Sequence, residues 1–279
     1  MTEGRIRHLG RTGQINPQRS TVNRPGSVEY TTNEQVAVIT LNRPTVKNAL
    51  TWTMLADLKR AIADFNHDDS LRVAILTGSG DEAFCSGADL DETIPLLTDG
   101  GLSAIIEEPT KRFFSDVYKP IISAVNGYCI AGGLEILLGT DIRIAADHAM
   151  FGLSEVRWGI VPAAGSHIRL PQQIPISIAM ELLLTGQPIT AQRAAAIGLV
   201  NKVVPRDSLM HEAHSIAATL CRNGPLAIRT AKEIAVRSEK QETGFVLERY
   251  MSECVFTSHD AIEGPRAFVE RRTPIFFGR

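Results

Sequence analysis

The chain has 279 residues, 44% of them hydrophobic and 22% charged, with 29 basic side chains against 31 acidic ones for a formal net charge of −2. That length permits one large core, or a core with an appendage, and the balanced charge excludes the basic footprint of a nucleic-acid binder or of a membrane-surface protein. Its cysteines, Cys85, Cys129, Cys221 and Cys254, form no CxxC pair. They read as buried thiols in a reducing compartment, so a cytoplasmic setting is expected.

Residues 1–27 are expected to be a disordered tail: Arg5, Arg7, Arg11, Arg19 and Arg24 stand against the single acid Glu3, with no apolar period. The tail lacks the apolar helix face of a transit peptide. Val28 to Asn42 alternates as a hairpin around Thr32-Asn33-Glu34. Thr51 to Phe65 has helical spacing, with apolar Met54, Leu55, Leu58, Ile62 and Phe65 on one face. Val73 to Thr77 reads as a short buried strand closed by Gly78-Ser79-Gly80.

The stretch AFCSGADL, Ala83 to Leu90, follows. Gly87 can take a positive φ and so turn the N–H of Ala88 inward, while Asp89 suits the cap of the next turn. Leu102 to Val117 is expected to be a weaker helix. Ile121 to Val125 is a buried strand, Asn126-Gly127 a turn, and Gly132-Gly133 the opening of a helix with Glu135 in its first turn. Ile121 to Gly139 is long and apolar enough to suggest a membrane span. Asn126, Glu135 and the glycine pair argue against it, since a charge at bilayer depth costs at least ~2.5 kcal/mol.

Ile142 to Ala146 forms another strand, and Phe151 to Leu170 is a Gly- and Pro-containing loop carrying Glu155. Helical spacing then dominates: Ile178 to Leu184, Ala191 to Ile197, Leu209 to Cys221, Leu226 to Val236 and Phe245 to Phe256. Gly264-Pro265 is expected to interrupt the last helix. Strand-helix units followed by a block of helices imply an α/β core over 28–205 and a helical region over 206–279.

No G-x-S-x-G elbow, Walker loop or G-x-G-x-x-G occurs, which removes support for hydrolase, NTPase and dinucleotide chemistry. His211 and His214 look metal-like but lie three apart on an amphipathic helix, and fit a solvated face better. No metal site is expected. Residues 121–141 admit two readings: Glu135 simply complements the helix dipole, or a strand delivers an exposed helix-start N–H and the Glu135 carboxylate to one place for chemistry. A site that stabilises an oxyanion and moves a proton needs both. A helix start also favours the ionised form of Glu135.

The chain resembles the crotonase superfamily, the enoyl-CoA hydratases and isomerases, from about Val28 onward. The matching pieces are LNRPTVKNAL (Leu41 to Leu50), AFCSGADL, KPIISAVNGYCIAGGLE and FGLSEVRWGIVPAAGSHIRL, followed by LLTGQPITAQRAAAIGLVNKVVP (Leu183 to Pro205) and DAIEGPRAFVERRTPIF (Asp260 to Phe276). The resemblance implies a spiral of strand-strand-helix turns, with C-terminal helices that assemble homotrimers or paired trimers (homohexamers). It implies an acyl-CoA thioester as partner, with coenzyme A as part of the substrate and no further cofactor. Ala88 and Gly132 fall on the family's oxyanion-hole positions, and Glu135 and Glu155 on its two catalytic glutamates. The CoA moiety would run along Val46, Lys47, Ser86, Gly87, Ala88, Asp89 and Leu90, with Gly132 and Trp158 nearer the acyl group. Arg271 falls where the family often has a lysine that meets a CoA phosphate of a neighbouring subunit.

Departures from the family pattern are Ala131 in place of a frequent glycine, Val156-Arg157-Trp158 after Glu155, and Ala163-Ala164-Gly165 in place of a glycine-richer run. The expected reaction is syn hydration of a 2-enoyl-CoA, with Glu135 activating water and Glu155 supplying the proton to C2. Two alternatives stay open: a double-bond isomerase working from Glu155 alone, and a CoA-ester-binding protein without catalysis.

Overall fold

A computed structural model describes residues 27–100, 102, 106, 108–238 and 241–277. Residues 1–26 of the expected tail lie outside the described residues, while Ser27 opens the first strand. β1 (Ser27–Asn33) and β2 (Val36–Asn42) form the expected hairpin, with Glu34 at φ +51 in the turn. Alternate β2 residues are buried, as period-2 patterning requires of a strand with one face on the core.

α1 (Trp52–His67) begins where Thr51 Oγ1 accepts from the Met54 N–H. It buries Met54, Leu58, Ala61, Ile62 and Phe65 against the sheet. β3 (Val73–Gly78), β5 (Ile121–Val125), β7 (Ile142–Ala146) and β10 (Lys202–Val204) continue the hairpin as a six-stranded sheet of order β1-β2-β3-β5-β7-β10, parallel beyond the hairpin. Both faces of β3 and β5 are covered, so every residue of both strands is buried and their sequences are mostly apolar rather than alternating.

A second, smaller sheet holds β4 (Ala83–Cys85), β6 (Tyr128–Ile130), β8 (Met150–Gly152) and β9 (Ile189–Thr190), in the order β4-β6-β8-β9. Each pass of the chain lays one strand in the large sheet and the next in the small one before a helix: β5, β6, then α3 (Gly132–Leu138); β7, β8, then α4 (Ser166–Gln173). This is the expected spiral. α5 (Ile176–Thr185), α6 (Ala191–Ala196) and α7 (Leu209–Arg222) follow, with α7 covering the outer face of β3, β5 and β7. α8 (Pro225–Ser238), α9 (Gln241–Phe256) and α10 (His259–Val269) complete the C-terminal helices. No helix among the described residues is long and apolar enough to cross a membrane.

The structure corrects several sequence expectations, among them the burial of all four cysteines, since Cys254 is exposed and Cys221 half-buried. Residues 108–117 form turns rather than the helix expected over Leu102 to Val117; Pro109 lacks an N–H donor and Phe114 sits at φ +64. A helix forms upstream instead, at α2 (Thr93–Gly100). The loop expected over Phe151 to Leu170 contains β8, a 3₁₀ turn at Glu155–Trp158 and the start of α4.

Nor does Gly264-Pro265 break the last helix, because α10 runs through both residues. Packing overrides propensity here. α10 lies so close to the 3₁₀ turn that a Cβ added to Gly264 would sit 1.7 Å from the Trp158 carbonyl oxygen. Gly264→Ala is therefore expected to push α10 off that turn and destabilise the fold by about 1–3 kcal/mol. Chemical denaturation followed by tryptophan fluorescence reads both effects at once.

Candidate active site

Two main-chain loops meet at the centre of the site. The AFCSGADL loop leaves β4 and is pinned at its root: Asn48 Nδ2 and Asn126 Nδ2 both donate to the Ala83 carbonyl, at 2.8 and 3.1 Å. Gly87 takes φ +104, which only glycine adopts without strain, and its N–H donates to Cys85 Sγ at 3.4 Å. Leu50 then pairs with the loop from the other side, donating to the Gly87 carbonyl at 2.8 Å and accepting from the Asp89 N–H at 2.9 Å. This pairing uses the backbone groups on either side of Ala88, and the Ala88 N–H has no bonding partner among the described residues.

The second loop joins β6 to α3. Gly132 is the first residue of α3, so its N–H has no carbonyl one turn back to bond. The two loops touch: a Cβ built on Gly132 would lie 3.6 Å from the Ala88 nitrogen and 3.5 Å from Gly87 Cα. Two backbone donors therefore stand side by side on the wall of a cavity of about 630 Å³, whose lining includes Ala88, Gly132, Glu135 and Glu155.

Both carboxyl groups are buried, with Glu135 6% and Glu155 7% exposed. Glu135 Oε1 accepts from the Ala164 N–H at 2.7 Å and from Ser166 Oγ at 3.0 Å. Burial pushes its titration up to about 7, the Glu248 carboxylate adds to that, and the Ala164 and Ser166 bonds and His167 oppose it. The expectation that the helix start would keep Glu135 readily ionised is thus overturned: desolvation outweighs a dipole worth at most ~2 kcal/mol. Glu155 is raised well above the ordinary range, by burial first and then by the Glu135 charge. Its Oε2 is buried with no hydrogen-bond partner among the described residues.

Of the expected substrate contacts, Val46, Lys47, Ser86, Ala88, Asp89, Leu90, Gly132 and Trp158 line this cavity, and Gly87 shapes its loop. Lys47 lies over the Tyr128 ring at 4.7 Å. Asp89 does cap the following turn, accepting from the Asp91 and Glu92 N–H groups at 2.9 and 3.0 Å, and it also pairs with Arg43. Burial alone would raise the Asp89 carboxyl, but Arg43 and the two amides hold it below its usual range. Trp158 meets Phe268 of α10 edge-on at 4.8 Å, beside an apolar wall that includes Ile94, Leu97, Ile106 and Phe256. Arg271 is exposed just past α10 and forms no part of the lining.

Sequence reasoning missed Asn48, Ser166 and α2. Asn48 left one signal, a fully polar side chain inside the LNRPTVKNAL stretch. Ser166 left none, since its partner is 31 residues away.

A carboxyl that titrates higher in the folded than in the unfolded chain holds extra proton between those two values, so stability falls as pH rises across that window. For Glu135 the window runs from 4.5 to about 7. Glu135→Gln removes this liability. Urea denaturation from pH 4.5 to 8 is expected to show the variant gaining on the natural chain as pH rises, by up to about 3 kcal/mol.

A family profile described as enoyl-CoA hydratase/isomerase matches residues 31–279. An enoyl-CoA hydratase of Mycobacterium tuberculosis is 38% identical over 262 residues, covering 87% of this chain and 93% of its own. A carnitinyl-CoA dehydratase of Citrobacter koseri is 38% identical over 267 residues, covering 91% and 99%. Among solved structures, EchA1_1 of Mycobacterium paratuberculosis superposes with a TM-score of 0.81 at 35% identity, over 92% of this chain and 100% of that one. With the spiral of strands and the paired loops already in view, these matches establish that the chain belongs to the enoyl-CoA hydratase/isomerase family and has the crotonase fold.

Proposed function

We propose that this protein is an enoyl-CoA hydratase, adding water reversibly across the 2,3 double bond of a 2-enoyl-CoA to give the 3-hydroxyacyl-CoA. The carrying observation is the joint placement of two buried carboxyl groups and two adjacent unpaired backbone amides on one cavity. The thioester oxygen accepts from the Ala88 and Gly132 N–H groups. Glu135, the more readily ionised of the two, takes a proton from water as its oxygen bonds to C3. Charge gathers on the thioester oxygen as the enolate forms. Glu155, held protonated by its surroundings, then delivers its proton to C2, and the proton on Glu135 returns to Glu155 to close the cycle. Dehydration of a 3-hydroxyacyl-CoA runs the same steps backward.

The apolar wall beyond Trp158 suits an uncharged acyl chain. Exposed Ile176, Met180 and Leu184 follow one face of α5, and Leu247, Tyr250 and Met251 project from α9. Such faces fit assembly of the chain into homotrimers or pairs of trimers.

Loss of the 2-enoyl absorbance on mixing with crotonyl-CoA or a longer 2-enoyl-CoA tests the reaction. Conversion of a 3-enoyl-CoA without any hydration would replace this reading with the isomerase one. Glu135→Gln or Glu155→Gln is expected to lower kcat by ~10²–10⁴ while the ester still binds. Gly132→Ala gives a sharper separation. Apart from its own chain neighbours and the α3 backbone, its new methyl would meet nothing nearer than 3.5 Å, so the melting temperature should hold. The methyl would still crowd the thioester oxygen, and kcat/KM is expected to fall by ~10²–10³.

A further inference from the structure

Behind Glu135, away from the cavity, lies a buried charged cluster that the reaction does not touch. Arg112 and Glu248 have side chains only 2% and 0% exposed, with Arg112 Nε 3.0 Å from Glu248 Oε2. The same Nε donates to the Ala163 carbonyl at 3.2 Å, Nη1 donates to the Pro109 and Lys111 carbonyls, and Nη2 donates to the Phe245 carbonyl at 2.8 Å. Arg112 thus ties the 109–111 turns, α9 and the loop before α4 together. The residue after Ala163 is Ala164, whose N–H bonds Glu135. Gly165, at φ +107, lies against the Arg112 stem, where a Cβ would come within 3.0 Å of Arg112 Cγ. On the open side His167 Nδ1 lies 3.3 Å from Glu248 Oε1, and the His167 side chain is 32% exposed.

We propose that the buried Arg112–Glu248 pair, with His167 at its edge, is a positioning device: it aims the Ala164 amide and Ser166 hydroxyl at Glu135 and sets the local charge against which that carboxyl ionises. The inference rests on the reading of Glu135 as the base. A buried ion pair is a poor way to gain stability, because desolvation offsets its attraction. This pair instead restrains a loop whose next amide holds a reacting carboxyl. Arg112, Glu248 and His167 are positioning residues, since none of them lines the cavity.

The charged groups around Glu135 come from several elements. Glu155 approaches from the 3₁₀ turn, Glu248 from α9, and His167 and Arg169 from α4. Glu248 makes proton loss from Glu135 harder and His167 makes it easier. Removing each should therefore move Glu135 in opposite directions. A cluster that merely braced the C-terminal helices would not produce that pattern.

The experiment titrates the carboxyl C=O band of Glu135, identified by its loss in Glu135→Gln, by infrared difference spectroscopy on the full-length protein. Glu248→Gln is expected to lower the midpoint by about one pH unit, and His167→Gln to raise it by a smaller amount. The acid limb of the kcat profile for enoyl-CoA hydration should follow both shifts. Arg112→Lys, which keeps the charge but loses the planar fork, should lower kcat about 10- to 100-fold with KM for the ester unchanged. Midpoints that stay put, or that move the same way in both variants, overturn the proposal. If Glu248→Gln does not fold, the half-exposed His167→Gln decides it alone: a raised midpoint supports the proposal and an unmoved one overturns it. Should the natural chain hydrate no enoyl-CoA while the opposed shifts remain, the hydratase reading falls and the positioning device stands.

Discussion

Two carboxyl groups enclosed on one largely apolar cavity cannot both ionise at low cost, and the local structure around Glu135 and Glu155 follows from that constraint. Each is only a few per cent exposed, and each is pushed upward by its own burial before any neighbour acts. The pair therefore differs by surroundings rather than by residue type. Glu135 is offered an amide and a hydroxyl, which favour its charged form. Glu155 Oε2 has no partner among the described residues, and burial raises that carboxyl well above its ordinary range. Two identical side chains thus acquire unequal surroundings on one cavity.

Placing those groups falls to the interlocked sheets. Every turn of the spiral leaves the large sheet through a buried parallel strand and enters the small sheet through one of three residues or fewer, which gives each connecting loop a rigid root on both sides. The Ala83 carbonyl shows how this works. Two asparagine side chains, from the segment before α1 and from the turn after β5, both bond it, so the loop that presents Ala88 is held to the two neighbouring turns of the chain. Leu50 closes the arrangement by pairing with the backbone on either side of Ala88, and the Ala88 N–H has no partner among the described residues.

Much of this was legible in the sequence, for physical reasons that also mark where legibility stopped. β3, β5 and α1 declare themselves through period and apolar run, because each buries its face within its own segment. Gly87 declares itself because a positive φ needs glycine. What failed depends on partners far along the chain. The turns over 108–117 bring Arg112 to Glu248, 136 residues away, and no local pattern encodes that bond. α10 continues through Gly264-Pro265 because Trp158 lies against it, another long-range contact. The state of Glu135 failed in the same way: a helix start is a local feature, whereas burial is a property of the finished fold.

Ala131 carries the argument one step further. It sits at φ +53 and ψ −125, a conformation that suits glycine and costs other residues of order 1–3 kcal/mol. The backbone on both sides holds it there: its N–H donates to the Gly152 carbonyl at 2.9 Å, and its own carbonyl accepts from the Glu135 N–H at 3.1 Å. The first bond belongs to the small sheet and the second starts α3, so one residue must satisfy a strand and a helix at once. Its methyl group fills the gap beside Gly87, where a Cβ on Gly87 would come within 2.7 Å of it. Gly87 must therefore stay bare for two reasons, its own φ and the neighbouring methyl. The strain at Ala131 is the local cost of bringing the Ala88 and Gly132 amides side by side, and the hydrogen bonds of the small sheet and α3 absorb it.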